Sequence, residues 1–442
     1  MLIRFRVSNF LSFDEMQELS MISGSIRDKK EQIFLREGFG ILKAASVFGA
    51  NASGKSNLIK AMSQSKMFIC QGKKIPINHY FRPKPDNADQ PSYFEYEFDL
   101  GGRIYSYGFE IIISKQEVVS EWLHRISIKD EDVVIFSRTG NKIISGLDNK
   151  RDKSRMKVYI EGMSKNKSVL FLHEMARNKT YPTDSEMNVF HGVMDWFKYK
   201  LNIFSSADDI KPLYNEEMID WDKLGEIISS FGTGVKSINF IEEKLTPEEE
   251  TDTFMNYLLK YSKDLDYKKD VISDYNKSIK FKTNINNHNY HRVGNRDLLR
   301  KKMVFNHDDT VYDYLEESTG TKKLLELLKI LVSEEEGVTY VIDELDNSLH
   351  PQLTYRFVKL FCDLYADFER QLVFTTHESR LMDFQLLRRD EYWFIEKDKK
   401  GASRLYSLEE FNERLDRRID KAYLDGRYGG VPIFQEIYPS LE

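Results

Sequence analysis

Residues 49–56 are the part of the sequence best suited to chemistry. They read Gly-Ala-Asn-Ala-Ser-Gly-Lys-Ser, which fits the pattern of a phosphate-binding loop. In such a loop the backbone amides wrap the phosphates, and we expect Lys55 to reach the β- and γ-phosphates. We expect the Ser56 hydroxyl to ligate magnesium. The segment therefore predicts a site for ATP and Mg²⁺.

A phosphate-binding loop must lie between a strand and a helix, because the helix N-terminus adds a favourable dipole for the phosphates. The mostly apolar run from Ile41 to Phe48 predicts a buried strand that ends at Gly49, and a helix is predicted directly after the loop. This context favours a nucleotide site over a chance glycine-rich turn.

Two further strand ends carry chemistry. The apolar run Val338–Ile342 is followed by Asp343 and Glu344, a pair in which the first carboxylate can orient Mg²⁺ and the second can act as general base for water. The run 371–376 predicts another buried strand and ends at His377. From that position a histidine can sense the γ-phosphate or the attacking water.

Residues 317–321, Glu-Ser-Thr-Gly-Thr, precede a predicted helix that runs from Gly320 to Val332. Its free amides and hydroxyls would form a second anion site. A single subunit does not need two such sites for one nucleotide. In a head-to-tail dimer, however, Ser318 and Gly320 of one subunit could cap the γ-phosphate bound by the other. The alternative is an ordinary helix N-cap by Ser318 or Thr319.

The remaining patterns predict an α/β fold. Residues 2–8 alternate like a strand, and Ser92–Leu100 and 103–113 predict a hairpin around two glycines. From about 141 to 300 helical patterns alternate with polar stretches, and a capped helix is predicted from Thr246 to about Tyr261. We therefore expect the halves of one α/β domain at 1–140 and 301–442, separated by a mostly helical insertion at 141–300.

Bulk composition restricts the class of protein. The chain has 442 residues, 41% of them hydrophobic, and a formal net charge of −6, so it can form a large core and is not globally basic. Any nucleic-acid surface would have to be a local patch. The two cysteines, Cys70 and Cys362, are far apart, which fits a reducing cytoplasm. No apolar run of about 18 residues predicts a membrane span.

Taken together, these motifs resemble those of ABC-type ATPases of the SMC, RecF and RecN branch. The resemblance covers the Asn-bearing phosphate loop and the opening segment Val7–Phe13. It also covers an ABC signature, a Walker B pair, a D-loop from Asp346 to His350 and a switch histidine. It implies an ABC-type ATPase head, with a mixed sheet flanked by helices, that works as a dimer around nucleotide. The implied nucleotide-binding residues are Gly49, Asn51, Gly54, Lys55, Ser56, Asn57, Ser318 and Gly320.

The sequence departs from the broad ABC pattern at a few positions. The D-loop ends in His350 rather than aspartate, and the signature has Thr319 where transporters carry glycine. Gln64, Gln71 and Gln90 are equally placed to be the Q-loop glutamine.

A narrower resemblance covers nearly the whole chain. The segments 317–321, 343–351, 375–378 and 388–391 and the tail 423–432 resemble the stand-alone ATPases of bacterial phage-defence and abortive-infection loci, the RloA and AriA type. These are distantly similar to the ATPase half of OLD nucleases. The resemblance implies an oligomeric ATPase that holds a toxic effector, such as a TOPRIM-type nuclease, and releases it when a phage trigger is sensed.

Two other functions were weighed against this one. A RecF-like DNA-maintenance ATPase would need a basic groove, for which 150–157 and 300–302 are the best candidates, although such runs are usually solvated faces. A self-contained nuclease of the OLD type needs a TOPRIM domain of about 100 residues, whereas about 65 residues follow His377.

Overall fold

The computed structural model describes residues 1–26, 29–36, 38–127, 129–163, 166–205, 219–246, 283–285, 288–293, 297–333, 335–364, 368–411 and 418–430. The chain forms two compact units. The first unit comprises Met1–Leu213 and Glu335–Glu442, and the second comprises Tyr214–Glu334.

These boundaries differ from the predicted division at 140 and 300. Residues 141–205 belong to the first unit because their last strand, β11 (Leu201–Phe204), pairs in parallel with β17 (Val338–Ile342). Residues 301–333 belong to the second unit, where the strand at Asp297–Asn306 continues the sheet of that unit. Each segment thus belongs to the unit whose sheet its strand joins through backbone hydrogen bonds.

The first unit contains a six-stranded mixed sheet with the order β11-β17-β18-β5-β19-β20. Its other strands are β5 (Ala44–Phe48), β18 (Arg370–Thr375), β19 (Tyr392–Lys397) and β20 (Ser403–Ser407). All neighbours are parallel except β19 and β20. Every residue of β5, β17 and β18 is buried, as expected for parallel strands covered on both faces.

A seven-stranded antiparallel sheet completes the strand structure of this unit, together with the short pair β3 (Ile33–Arg36) and β4 (Phe39–Leu42). Its order is β10-β9-β8-β7-β6-β1-β2. The strands are β1 (Leu2–Ser8), β2 (Gln17–Ser20), β6 (Ser92–Leu100), β7 (Arg103–Ile112), β8 (Glu117–Ile126), β9 (Val133–Thr139) and β10 (Lys142–Ser145). The predicted hairpin of β6 and β7 is confirmed.

One predicted strand is divided in two. The run from Ile41 to Phe48 contributes its first residues to β4 and its last five to β5. Lys43 lies between them, and its amide donates to the carbonyl of Gln32 rather than to either sheet. The chain therefore changes sheets at this buried lysine.

Helices pack between and around these sheets. They are α1 (Lys55–Gln71), α2 (Lys150–Met163), α3 (Phe171–Ala176), α4 (Asn188–Asp195), α7 (Pro351–Leu364) and α8 (Ile419–Leu424). After α4, a π-helical turn at Trp196–Lys200 stacks the Trp196 ring on Phe98 with centroids 4.1 Å apart. The fully buried Glu121 accepts the first amides of α3 from Phe171 and Leu172. These contacts join α3 and α4 to the antiparallel sheet.

The mostly helical insertion predicted at 141–300 contains α2, α3, α4 and a helix at Trp221–Ser230. The described part of the second unit, however, is also rich in strands. Its sheet contains β12 (Ser237–Lys244), β13 (Thr283–Ile285), β14 (His288–Val293), β15 (Asp297–Asn306) and β16 (Val311–Asp313). The helices α5 (Trp221–Ser230) and α6 (Thr319–Val332) pack on each other. The helix predicted from Thr246 to Tyr261 lies outside the described residues.

Charged residues explain why these strands were not recognised. Glu243 of β12 faces β15, where it forms ion pairs with Arg300 at 3.0 Å and with Lys302 at 2.7 Å. Cross-strand ion pairs can stabilise a sheet in place of apolar pairs. The strands therefore lack the apolar alternation on which the prediction depended.

Two simpler expectations concern membranes and thiols. No helix among the described residues is both long and apolar enough to cross a bilayer. Cys362 is buried, Cys70 is partly buried, and both are free thiols. Burial raises the pKa of Cys70 to about 11, so this thiol stays protonated at neutral pH.

Candidate nucleotide site

Three neighbouring parallel strands of the six-stranded sheet end at the same edge. β17 is followed by Asp343, β18 by Thr376 and His377, and β5 by Gly49. The pairing of Ile342 with Phe374 and of Thr375 with Val47 sets the three ends level with one another. In parallel α/β sheets the carboxyl edge of the strands is where ligands bind. The sequence motifs therefore meet at one place in the first unit.

The loop before α1 has two glycines that the packing requires. A Cβ on Gly49 would lie 2.4 Å from the carbonyl oxygen of Ile395 in β19. Gly54 has φ of +120°, and a Cβ there would lie 2.4 Å from the Ser403 hydroxyl. Any side chain at either position would push the loop away from its neighbours. The glycine spacing of the motif is thus a consequence of close backbone packing.

Lys55 opens α1 and folds back over the loop. Its ammonium nitrogen donates to the Gly49 carbonyl at 2.6 Å and to the Ala50 carbonyl at 3.1 Å, and it lies 3.5 Å from His377 Nδ1. Burial lowers the pKa of Lys55 to about 8, although Asp343 and Glu344 act to raise it. The ammonium group is therefore held over the loop in a position where a bound anion would favour its charged form.

Thr375 connects the two carboxylate residues. Its hydroxyl donates to Asp343 Oδ1 at 2.5 Å and accepts the backbone amide of Glu344 at 2.7 Å. Asp343 is only 3% exposed, and Glu344 has a left-handed backbone with φ of +50°. Because one hydroxyl contacts both residues, it fixes their relative orientation. The sequence predicts Thr375 as a strand residue and includes it in the family segment 375–378, but it gives no sign of this contact with the carboxylate residues.

His377 is held by its backbone as well as by its ring. Its amide donates to Asp346 at 3.3 Å, and its Nδ1 faces Lys55. Burial and the charge of Lys55 lower the pKa of His377, so the imidazole is neutral at pH 7. Asp346 thereby links the D-loop predicted from sequence to the switch histidine.

Ser12 and Ser403 form hydrogen bonds with the phosphate loop and with the first turn of α1. The Asn57 side chain donates to the Ser12 hydroxyl at 2.8 Å, which ties α1 to the opening segment of the chain. Ser403 donates its amide to the Ser12 carbonyl at 2.7 Å and its hydroxyl to the Ser53 carbonyl at 2.5 Å. No local sequence pattern identifies Ser403 as a site residue. Its contact with the loop depends on β20 lying beside Ser53, which is 350 positions earlier in the chain.

The predicted metal ligands are Ser56, the second residue of α1, and Asp343. Both supply oxygen, which Mg²⁺ prefers, and Mg²⁺ usually keeps several waters and binds substrate phosphates. Two protein ligands therefore suit Mg²⁺ better than a metal that needs a full protein cage. Within the described ranges, no group of three or more His, Cys, Asp or Glu side chains could hold a metal ion.

The predicted signature residues belong to the second unit. Ser318 is exposed and caps α6, where its hydroxyl accepts the Thr321 amide at 3.0 Å. The amides of Thr319 and Gly320 have no acceptor within the helix, as helix geometry requires. Next to the cap, Glu317 contacts His307 Nε2 at 2.7 Å. Within one copy of the chain, Ser318 is thus an ordinary helix N-cap. The role of Ser318 at a nucleotide stays a prediction.

The fold and the edge geometry are those of an α/β nucleotide-binding domain. In agreement, residues 45–383 match the family model described as "AAA domain, putative AbiEii toxin, Type IV TA system". The chain belongs to this family, which makes it an ATPase related to those of abortive infection.

The comparison with solved structures returns heads of SMC proteins. One is an SMC head bound to the C-winged helix domain of ScpA, with 13% identity and a TM-score of 0.41. Another is the SMC head domain from Thermotoga maritima, with 11% identity and a TM-score of 0.37. Each alignment covers 92% of this chain and 98% of the other. The comparison with curated protein sequences found no match.

Proposed function

We propose that the carboxyl edge of the six-stranded sheet binds ATP with Mg²⁺ and that Glu344 activates the attacking water. The observation that carries this proposal is the convergence of Lys55, Asp343, Glu344 and His377 on the edge where β5, β17 and β18 end. The Gly49–Gly54 loop and the first amides of α1 would surround the phosphates, with Asn51 on the exposed side of the loop.

The residues have separate tasks in this proposal. Lys55 binds the β- and γ-phosphates, and Ser56 and Asp343 would hold Mg²⁺, which supplies neutralising charge at the phosphates. Glu344 accepts a proton from water as it attacks, in the orientation that Thr375 imposes on its backbone. His377, neutral and beside Lys55, donates or accepts a hydrogen bond near the γ-phosphate.

We also propose that two copies of the chain share each ATP. Ser318 and Gly320 lie at an exposed helix N-terminus whose first amides have no intrahelical acceptor. Such a terminus attracts a phosphate. In a head-to-tail dimer, the N-terminus of α6 from one copy would complete the site formed by Lys55 of the other.

Subunit mixing tests this arrangement. Lys55→Ala and Ser318→Asp are each expected to abolish hydrolysis alone. In the mixture, each heterodimer keeps one site with a native Lys55 and a native Ser318. Recovery of up to about half of the wild-type rate per heterodimer is expected, since one of two sites works. No recovery in verified heterodimers would contradict a site shared between copies.

For the cellular role, we propose a defence ATPase that holds a toxic effector and uses ATP as a switch. Support comes from the family, whose description names a toxin and a toxin–antitoxin system, and from the tail and signature segments that resemble the phage-defence ATPases. The effector proposed is a TOPRIM-type nuclease, and a phage protein is the proposed trigger.

A plaque assay tests the cellular role. Cells that carry the native locus should resist phage, and Lys55→Ala and Glu344→Gln should each lose that resistance. Exposure of the same strains to a DNA-damaging agent is the control. Unchanged plaque counts together with increased damage sensitivity would instead support a DNA-maintenance ATPase.

Ion pairs engage part of each basic run that a DNA-binding function would need. Of the two basic runs, Arg300 and Lys302 are both paired with Glu243. In α2, Arg151 and Lys153 contact Asp184 and Asp148 at 3.7 and 3.5 Å. Such pairing reduces the charge available to phosphates of a nucleic acid.

A further inference from the structure

The C-terminal segment 423–430 forms a compact turn to which the proposed function gives no task. It begins in the last turn of α8 and closes through backbone bonds from the Gly426 amide to the Tyr423 carbonyl at 2.8 Å and from the Arg427 amide to the Ala422 carbonyl at 3.0 Å. The aromatic side chains of Tyr423 and Tyr428 are buried, whereas residues 424–427 are exposed. One face of the turn is therefore packed on the first unit and its tip is in solvent.

The packed face reaches the first residue of the phosphate loop. Gly430 has φ of +68°, and a Cβ there would lie 3.4 Å from the Cα of Gly49 and 3.7 Å from the carbonyl oxygen of Ile395. Gly49 itself has no room for a Cβ on the side of Ile395. A Cβ on Gly430 would also lie 3.6 Å from the Tyr423 ring, so Gly430 packs between that ring and the backbones of Gly49 and Ile395 at van der Waals distance.

Tyr423 fixes the turn in this position. Its ring lies 5.9 Å from that of Phe48, the last residue of β5, and 5.8 Å from that of Phe394. Its hydroxyl donates to the carbonyl of Gly430 at 3.0 Å. The same side chain therefore contacts the strand that leads into the phosphate loop and the glycine that packs on the loop.

We propose that Tyr423 and Gly430 are positioning residues for the phosphate loop. They hold the backbone of Gly49, whose carbonyl oxygen binds the Lys55 ammonium nitrogen at 2.6 Å. A displaced Gly49 would move that carbonyl and with it Lys55. The turn thus acts on ATP affinity through Lys55 without touching the nucleotide. This inference rests on the proposed role of Lys55 in ATP binding.

Two conservative variants of the full-length chain test the proposal. Tyr423→Phe removes only the hydroxyl that bonds Gly430. Tyr406→Phe is the matched control, because its hydroxyl bonds the carbonyl of Tyr428 in the same turn at 2.6 Å and Glu396 at 3.3 Å rather than Gly430. Binding of a fluorescent ATP analogue, steady-state hydrolysis and the melting temperature without nucleotide are measured for both.

Tyr423→Phe is expected to raise the Kd and the KM for ATP about fivefold, the effect of one lost hydrogen bond. Its kcat should stay within about twofold of wild type, since Thr375 and Glu344 are untouched. Tyr406→Phe should leave all three constants within about twofold while lowering the melting temperature similarly. Equal ATP affinities in the two variants would overturn the proposal.

A second pair of variants separates the effect of backbone strain on ATP binding from the effect of contact with the phosphate loop. Gly430→Ala and Gly426→Ala both place alanine at a left-handed glycine, with φ of +68° and +75°. Gly426 lies at the exposed tip, so only the Gly430 variant directs a methyl group at Gly49. Weaker ATP binding in Gly430→Ala alone supports the proposal, and equal binding in both variants contradicts it.

The outcome also distinguishes this inference from the proposed function. If Lys55→Ala still binds ATP as well as wild type, the proposed nucleotide site is wrong. If Lys55→Ala loses binding while Tyr423→Phe and Gly430→Ala keep it, the site stands and only the positioning role of the turn is wrong.

Discussion

The N-termini of α1 and α6 present the same backbone groups in opposite settings. α1 begins after Gly54, which provides no side-chain cap, and its first residue Lys55 is 5% exposed. α6 begins after Ser318, which caps the helix with its own hydroxyl and is exposed. The first terminus has no side-chain cap and begins at a buried residue. The second has a side-chain cap and begins at exposed residues.

This difference indicates how the two ends can cooperate. A terminus without a side-chain cap leaves its amides available for a ligand, and the loop of α1 is already shaped by Gly49, Ser53 and Ser403. The first amides of α6 have no acceptor within the helix, and Ser318 and Thr319 are exposed. These amides can therefore meet a phosphate brought by another molecule. One terminus is suited to binding and the other to completing a site.

The largest effect is expected at α1. Lys55→Ala should weaken ATP binding at least about 100-fold, because it removes the ammonium group that is held over the loop. Lys60→Ala, an exposed lysine on the same helix, is the control and should bind ATP normally. Isothermal titration at pH 7 measures both, and normal binding by Lys55→Ala would contradict the assignment.

Two substitutions of Ser318 at the start of α6 separate its role as a helix cap from its proposed contact with phosphate. Ser318→Asp keeps a side-chain cap, since aspartate is as good an N-cap as serine, whereas Ser318→Ala loses about 1 kcal/mol of stability. A carboxylate beside the γ-phosphate should nevertheless reduce hydrolysis about 100-fold. Steady-state rates and melting temperatures are compared. Full hydrolysis by Ser318→Asp would show that Ser318 is only a helix cap.

A smaller effect is expected from Thr375→Val, which keeps the shape of the side chain and removes the hydroxyl between Asp343 and Glu344. Loss of such a supporting contact typically costs 10- to 100-fold, so kcat should fall by about 30-fold while ATP affinity changes little. Thr376→Val is the matched control, because that hydroxyl accepts only the Glu378 amide. Equal kcat values for the two variants would remove Thr375 from the mechanism.

The smallest effect concerns pH. Because the pKa of Lys55 is lowered to about 8, the lysine is charged below pH 8 and loses its proton above it. ATP binding favours the charged form, so the Kd should be flat below pH 8 and rise up to about tenfold per pH unit above it. Lys55→Arg does not titrate in this range and should give a flat profile. A rise that persists in Lys55→Arg would assign the titration to another group.

Much of the site was predictable because its residues directly follow uninterrupted apolar runs in the sequence. The apolar runs before Gly49, Asp343 and His377 gave three buried strands, and parallel strands bring their ends together. The contacts of Ser403 with Ser53 and of Gly430 with Gly49 join residues that are distant in sequence, and no local pattern encodes them. The strands of the second unit were missed because Glu243, Arg300 and Lys302 pair across β12 and β15 in place of apolar side chains.

Glu344 is proposed to activate water in an ATP site that two copies of the chain share. The most direct test is Glu344→Gln, which keeps the side-chain shape and removes the base. With ATP and Mg²⁺, hydrolysis should fall at least about 100-fold, and analytical ultracentrifugation should show an ATP-dependent dimer that persists without turnover. Hydrolysis at the wild-type rate, or a monomer at saturating ATP, would contradict the account.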